Sequence, residues 1–162
     1  MTGQLRYPEM RIAIGSDHAG WKLKQDITTF LSGAGHTFED LGCFSEDSCD
    51  YPDIGRMVAE AVSTGSFERG ILVCHTGNGM CMTANKVRGI RAALCHDLRT
   101  ARLAREHNDA NILCMGQGFV ENDVAQEMVQ LFLTIPFAGE RHARRMSKVM
   151  ALDGHRREAS GG

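Results

Sequence analysis

Short apolar runs of strand length alternate along the chain with longer stretches whose apolar residues recur at helical spacing. The runs Arg11–Gly15, Thr37–Leu41, Gly70–Cys74, Ile90–Leu94 and Asn111–Met115, bounded by Gly, His or Asp, predict strands. Leu23, Ile27, Phe30 and Leu31 share one helical face, and Gly33-Ala34-Gly35 supplies a stop. Ile54, Val58, Ala61 and Val62 repeat that spacing, with Pro52 near the first turn. Val124, Met128, Leu131 and Phe132 do so again before Pro136 ends the run. Strands alternating with helices predict β-α-β units, hence an α/β fold with a five-stranded parallel sheet covered on both faces. The chain has no internal repeat, low-complexity stretch or linker. One domain is expected over residues 10–152, with residues 1–9 and 153–162 as frayed tails.

Composition narrows the function classes. The 162 residues carry 18 Lys+Arg against 20 Asp+Glu, a formal net charge of −2, and are 43% hydrophobic. A chain of this length can bury a full core without metal or disulfide staples. The absence of a basic excess argues against a dedicated nucleic-acid binder. No apolar run approaches the ~20 residues of a membrane helix. Met1 to Met10 lacks a signal peptide's apolar core, so a cytoplasmic location is expected. Six scattered cysteines without a Cys-x-x-Cys pair read as reduced thiols.

In parallel sheets ligands sit beyond the carboxyl ends of the strands. That rule singles out Gly15-Ser16-Asp17-His18, Cys74 to Asn85, Cys95-His96-Asp97 and Gly116-Gln117-Gly118. The second begins Cys74-His75-Thr76-Gly77-Asn78-Gly79-Met80-Cys81: a thiol at a strand end, a Gly-x-Gly turn, then a helix start. Such glycines let successive N–H groups point inward and form an anion-binding concavity, and the helix N-terminus behind it would favour a thiolate. The competing reading makes Cys74 a small buried hydrophobe. A Walker loop fails because Met80-Cys81 replaces Lys-Ser/Thr, and a dinucleotide fingerprint lacks its third glycine. A Cys-x5-Arg phosphatase fails because Met80 holds the arginine position. What remains is Cys74 as acid/base or nucleophile beside an oxyanion-stabilising loop.

Elsewhere, Asp17 can accept sugar hydroxyls or cap the next helix, and His18 can meet a phosphate. His107 fits a helix C-terminus. Arg141, Arg144, Arg145 and Lys148 fall on one helical face opposite Ala143, Met146 and Met150. That stripe suits either a solvated face or a phosphate clamp. His75, Cys95 and His96 lack zinc-ligand spacing, so no metal site is expected.

Taken in order, Gly15-Ser16-Asp17-His18-Ala19-Gly20, Asp50-Tyr51-Pro52-Asp53, Cys74-x-Thr76-Gly77-x-Gly79, Ala84-Asn85-Lys86, Gly89-Ile90-Arg91-Ala92 and Arg105-Glu106-His107-Asn108-Asp109-Ala110-Asn111 form a set. This set, spread over about Met10 to Leu152, resembles ribose-5-phosphate isomerase type B, of the sugar-phosphate isomerase family that includes galactose-6-phosphate and allose-6-phosphate isomerases. The resemblance implies a Rossmann-like three-layer α/β sandwich, no metal or organic cofactor, and a homodimer or tetramer with active sites across the subunit interface. It implies aldose–ketose interconversion of a sugar phosphate through a cis-enediolate. By position, Cys74 matches the proton-transfer cysteine, and Thr76 with the N–H groups of Gly77, Asn78 and Gly79 matches the oxyanion loop. Asp17 and His107 match the ring-opening pair, His107 and Asn108 coming from the partner subunit. His18, Arg141 and Arg145 match phosphate-binding positions, and Tyr51 lies beside the sugar. Three positions depart from the pattern the resemblance implies: His75 where a small residue is usual, Gly118 where the family often has a phosphate-binding arginine, so that one phosphate ligand is absent, and Met80 where some relatives use a glutamate base.

The chemistry is feasible in magnitude. Ionising an ordinary thiol at neutral pH costs roughly 2 kcal/mol, a helix N-terminus offsets about 0.3–2, and one oxyanion donor contributes about 2.7–4. Two other classes stay open at this level: a non-catalytic sugar-phosphate or nucleotide binding module, kept alive by Gly118, and a cysteine hydrolase, disfavoured by Met80.

Overall fold

A computed structural model describes residues 9–155. Five strands, β1 (Arg11–Ser16), β2 (Thr37–Asp40), β3 (Arg69–Cys74), β4 (Ala92–Leu94) and β5 (Ile112–Gly116), form one sheet in the order β2-β1-β3-β5-β4. Every pairing is parallel. Helices α1 (Trp21–Gly33), α2 (Tyr51–Ser63), α3 (Asn78–Ala84), α4 (Leu98–Asn108), α5 (Asn122–Thr134) and α6 (Arg141–Ala151) connect and flank the strands. Strand alternation divides the core. Ile12, Ile14, Ile71, Val73, Leu113 and Met115 pack with α1, α4 and α5 on one face. Ala13, Leu72, Cys74, Ile112 and Cys114 pack with α2 and α3 on the other. The expected three-layer α/β sandwich is what the chain forms.

Local chemistry sets most boundaries. α1 stops at Gly33, with Gly35 taking the left-handed conformation at φ 77°. Pro52 occupies the first turn of α2. Ile135 is extended ahead of Pro136, ending α5. β4 is shorter than the expected Ile90–Leu94 because Arg91 is drawn elsewhere: its N–H donates to Asn111 Oδ1 at 2.8 Å and its Nε to the Asp109 carbonyl at 2.7 Å. The open edge of β4 is covered by the Asn85 carboxamide, which accepts the Ala92 N–H at 2.8 Å and donates to the Ala92 carbonyl at 2.9 Å.

Two expectations are corrected. Residues 153–155 are not a frayed tail: Leu152–His155 forms a 3-10 turn, and the Asp153 carboxylate accepts the Gly89 N–H at 2.8 Å. Residues 1–8 and 156–162, the rest of the expected tails, lie outside the described residues. Ala143 is exposed, and the side of α6 turned inward carries His142, Met146 and Met150, all only partly buried.

Lys24 escaped the pattern reading. It lies on the buried face of α1, fully inaccessible, with its ammonium 2.8 Å from Asp40 Oδ1 and bonded to the Cys43 carbonyl. It ties α1 to the end of β2 and to the loop that follows. Removing one partner of a buried pair leaves the other unpaired, so Lys24→Ala is expected to cost about 3 kcal/mol, the low end of the usual range because Asp40 is partly solvated. Thermal unfolding should show a midpoint lowered by roughly 6–12 °C.

Candidate active site

The carboxyl ends of β1 and β3 are adjacent, at the point where the chain reverses its winding across the sheet. From β1, Asp17 turns into a 3-10 turn (His18–Gly20) and caps it: Oδ1 accepts the Gly20 N–H at 3.0 Å, while the Asp17 N–H donates to the Val73 carbonyl at 3.2 Å. The capping role is real, yet it uses one carboxylate oxygen and leaves the other's lone pairs. His18 is anchored by the neighbouring loop, its Nδ1 accepting the Cys49 N–H at 3.2 Å.

From β3, the chain enters α3 through Gly77 at φ 82°, a left-handed conformation in which a Cβ would also lie 2.5 Å from Leu94. Cys74 faces the α2–α3 layer and is 5% exposed, and the Gly77 N–H donates to its Sγ at 3.1 Å. The Asn78 N–H donates to Thr76 Oγ1 at 3.1 Å. The expected oxyanion loop is therefore narrower than three free donors: the Gly77 and Asn78 N–H groups are engaged within the loop. Gly79 lies in the first helical turn, where an N–H has no intrahelical acceptor, and the Thr76 hydroxyl keeps its own proton to donate. The Tyr51 ring lies against this loop, since a Cβ on Gly79 would stand 2.5 Å from its ring atoms.

Behind the loop, Cys114 on β5 hydrogen-bonds toward Cys81 on α3, which holds the Cys81 thiol down at about 7 against the upward push of burial. The same contact, followed by burial, raises Cys114 well above the thiol range, while burial foremost pushes Cys95 up to about 12. All six cysteines are free.

Asp17, His18, Tyr51, Cys74, Thr76, Gly77, Asn78 and Gly79 thus meet at one edge. The other site residues named from the sequence gather elsewhere. α4 runs back across the sheet and delivers His107 and Asn108 to the amino end of β5. There the His107 ring stacks on His142 of α6, centroids 4.2 Å apart and planes 13° apart, and Asn108 Nδ2 approaches Met146 Sδ at 3.7 Å. Arg141 and Arg145 are exposed on the same helix. Partial desolvation, then the charges of His107, Arg141 and Arg145, hold His142 below the imidazole range. One chain cannot bring this second group to Cys74, because the two lie at opposite ends of the strands.

The structure also sorts the residues of the Arg105–Asn111 motif. Arg105 is buried, donating to Asp109 Oδ1 at 2.9 Å and the Ala110 carbonyl at 2.6 Å. Asp109 closes α4 at φ 46°, and Asn111 Nδ2 donates to the Gly89 carbonyl at 3.0 Å. These three hold the end of α4 in place and leave His107 and Asn108 available. Among the described residues no group of three or more His, Cys, Asp or Glu side chains is arranged to hold a metal ion, and no helix is long and apolar enough to cross a membrane.

Comparison with known proteins gives one answer from three directions. The family model described as Ribose/Galactose Isomerase matches residues 12–149. Ribose-5-phosphate isomerase B of Escherichia coli is 38% identical over 146 residues, 90% of this chain and 98% of that protein. The solved ribose-5-phosphate isomerase B of Clostridium thermocellum superposes with a TM-score of 0.89 at 47% identity, covering 90% of this chain and 99% of that one. That of Mycoplasma genitalium, solved with bound ribulose 5-phosphate, gives a TM-score of 0.85 at 41% identity over 89% and 96%. The chain belongs to the ribose/galactose isomerase family, with the type B ribose-5-phosphate isomerases, and is an aldose–ketose isomerase.

Proposed function

We propose that the protein interconverts ribose 5-phosphate and ribulose 5-phosphate through a cis-enediolate, with Cys74 as the base. The observation that carries this reading is the Gly77 N–H aimed at Cys74 Sγ from 3.1 Å.

The steps follow from the groups at the edge. Asp17, with His107 of a second copy, opens the furanose by moving a proton from the anomeric hydroxyl to the ring oxygen. Cys74 takes the C2 proton, and the electron pair moves onto the C1 carbonyl oxygen. The Thr76 hydroxyl and the Gly79 N–H donate to that oxygen. Return of the proton from Cys74 to C1, with transfer of the O2 hydroxyl proton to O1, completes the ketose. Tyr51 covers the sugar, while His18, with Arg141 and Arg145 of the second copy, takes the phosphate. The placement of His107, Asn108, Arg141 and Arg145 at the far edge supports a homodimer that shares its sites, with dimers pairing further as an option. Six free thiols suit a reducing compartment such as the cytoplasm.

Incubation with ribose 5-phosphate in chelator tests the reading: formation of the ketose supports it, and unchanged aldose overturns it. Thr76→Ala should lower kcat by about 10²- to 10³-fold while KM stays within a few-fold, because the donor acts on charge that develops only in the transition state. An equal rise in KM with kcat unchanged would assign Thr76 to ground-state binding instead.

A further inference from the structure

The loop between β2 and α2 carries two cysteines, Cys43 and Cys49, that the isomerase chemistry does not use. Their sulfurs meet: the Cys49 thiol is hydrogen-bonded to that of Cys43. The Cys43 thiol donates in turn to the Ser45 carbonyl at 3.2 Å, so its sulfur is left to accept from Cys49. Both cysteines are half-buried, whereas Cys74, Cys95 and Cys114 are buried. Every residue between them, 44–48, is exposed. A small oxidant therefore reaches this pair from solvent.

The two ends of the loop are held unequally. Cys43 is fixed through its main chain: its N–H donates to the Ser16 carbonyl at 2.6 Å, the Ser16 N–H donates to the Gly42 carbonyl at 2.7 Å, and the buried Lys24 ammonium bonds the Cys43 carbonyl. Cys49 is tied to the site by the bond from its N–H to His18 Nδ1 at 3.2 Å. That bond makes Nδ1 an acceptor and leaves the proton of a neutral His18 on Nε2. A disulfide holds its sulfurs about 2 Å apart, inside any hydrogen-bonded separation. With Cys43 fixed, the approach falls on Cys49 and draws its N–H away from His18.

We propose that Cys43 and Cys49 form a reversible disulfide with hydrogen peroxide, and that this modification weakens sugar-phosphate binding by releasing His18. The Cys43 sulfur attacks one peroxide oxygen and breaks the O–O bond, giving a sulfenic acid and a water. The Cys49 sulfur then displaces the sulfenic hydroxyl as a second water and closes the S–S bond. The two thiols lose two electrons and two protons, and one peroxide becomes two waters. Burial, then the Cys43 contact, holds the Cys49 thiol above its ordinary range, which gives the first attack to Cys43 and leaves Cys49 to resolve. A disulfide made and reversed in this way suits a compartment that otherwise keeps thiols reduced. The disulfide stands on the thiol contact; its effect on binding rests on the isomerase reading above.

The test uses the full chain carrying Cys74→Ala, so that ribose 5-phosphate is bound with little turnover, before and after hydrogen peroxide. Trypsin releases residues 25–56 as one peptide, which holds Cys43 and Cys49 and no other cysteine. The expected result is a peptide lighter by two hydrogens and a calorimetric affinity for ribose 5-phosphate weakened by about three- to tenfold, the scale of one lost hydrogen bond. Dithiothreitol should restore both. Adding Cys43→Ser should leave the reduced affinity unchanged and abolish the response, while His18→Gln should lower the affinity beforehand and remove the peroxide effect. Absence of the disulfide from peptide 25–56, or a response that survives Cys43→Ser, overturns the proposal. A disulfide that leaves affinity unchanged, or that still weakens binding in His18→Gln, overturns the release of His18. The isomerase reading fails separately, through a reduced wild-type protein that does not convert ribose 5-phosphate, and the peptide mass still decides the disulfide.

Discussion

Cys74→Ala is expected to lower kcat for ribose 5-phosphate by roughly three orders of magnitude while the protein remains folded. A positioned general base contributes about 10²- to 10⁴-fold, and Cys74 is the group whose sulfur both sits at the mouth of β3 and receives a loop N–H. The sulfur is nearly buried beside Leu72, Met80 and Cys114, so its removal leaves a small void costing about 1 kcal/mol. That is a modest fraction of a typical domain stability. Circular dichroism should therefore be unchanged at room temperature, which separates a chemical lesion from a folding one. Turnover within a few-fold of wild type would remove Cys74 from the mechanism, and the structural reading of that thiol as a core hydrophobe would then suffice.

The second large effect is a gain. His107→Ala and Cys74→Ala should each be nearly inactive alone, yet a mixture of the two, dissociated and reassembled, should recover about a quarter of wild-type activity. Random pairing makes half the dimers mixed, and each mixed dimer holds one site with both lesions and one with none. The expectation rests on the proposed homodimer with shared sites and on placement: His107 stacks on His142 at the amino end of the sheet, and Cys74 closes β3 at the carboxyl end. Activity measured against mixing ratio checks it. No recovery, with mixed dimers demonstrated by mass, would place both residues in one subunit's site or take His107 out of it.

Pattern reading found the strands within a residue or two and the three helices that bury large aliphatic faces, because burial of Leu, Ile, Val and Phe at fixed spacing is a strong signal. It did not find α4 by periodicity. The buried residues of α4 are Ala101, Ala104 and Arg105, small or charged, so its hydrophobic stripe is faint. Its start was legible only through the Asp97 cap, whose Oδ1 accepts the Thr100 N–H at 2.7 Å. α3 was visible as a turn followed by a helix start, since Gly77 and Gly79 announce themselves. Buried Lys24 was hidden for the reason that it works: its charge is neutralised by Asp40, sixteen residues further along the chain at the end of β2.

For the site, the order of short motifs along the chain identified the family, and the sheet-edge rule located Asp17, His18 and the Cys74 loop. Which N–H groups stay free was not legible, because it depends on the rotamers of Cys74 and Thr76. The relation between His75 and Gly118 was also out of reach. They stand in different loops, and only the clamp between Gly118 N–H and the His75 carbonyl brings the ring over the glycine.

The central claim is that the Cys74 sulfur carries the hydrogen between neighbouring sugar carbons, and isotope incorporation in D2O tests it most directly. A thiol that holds the abstracted proton exchanges with solvent before returning it. The account predicts deuterium at C1 of the ribulose 5-phosphate made by the wild-type protein, and in Cys74→Ala the loss of both product and label. Product formed by Cys74→Ala at the wild-type rate and with the same deuterium content would contradict it.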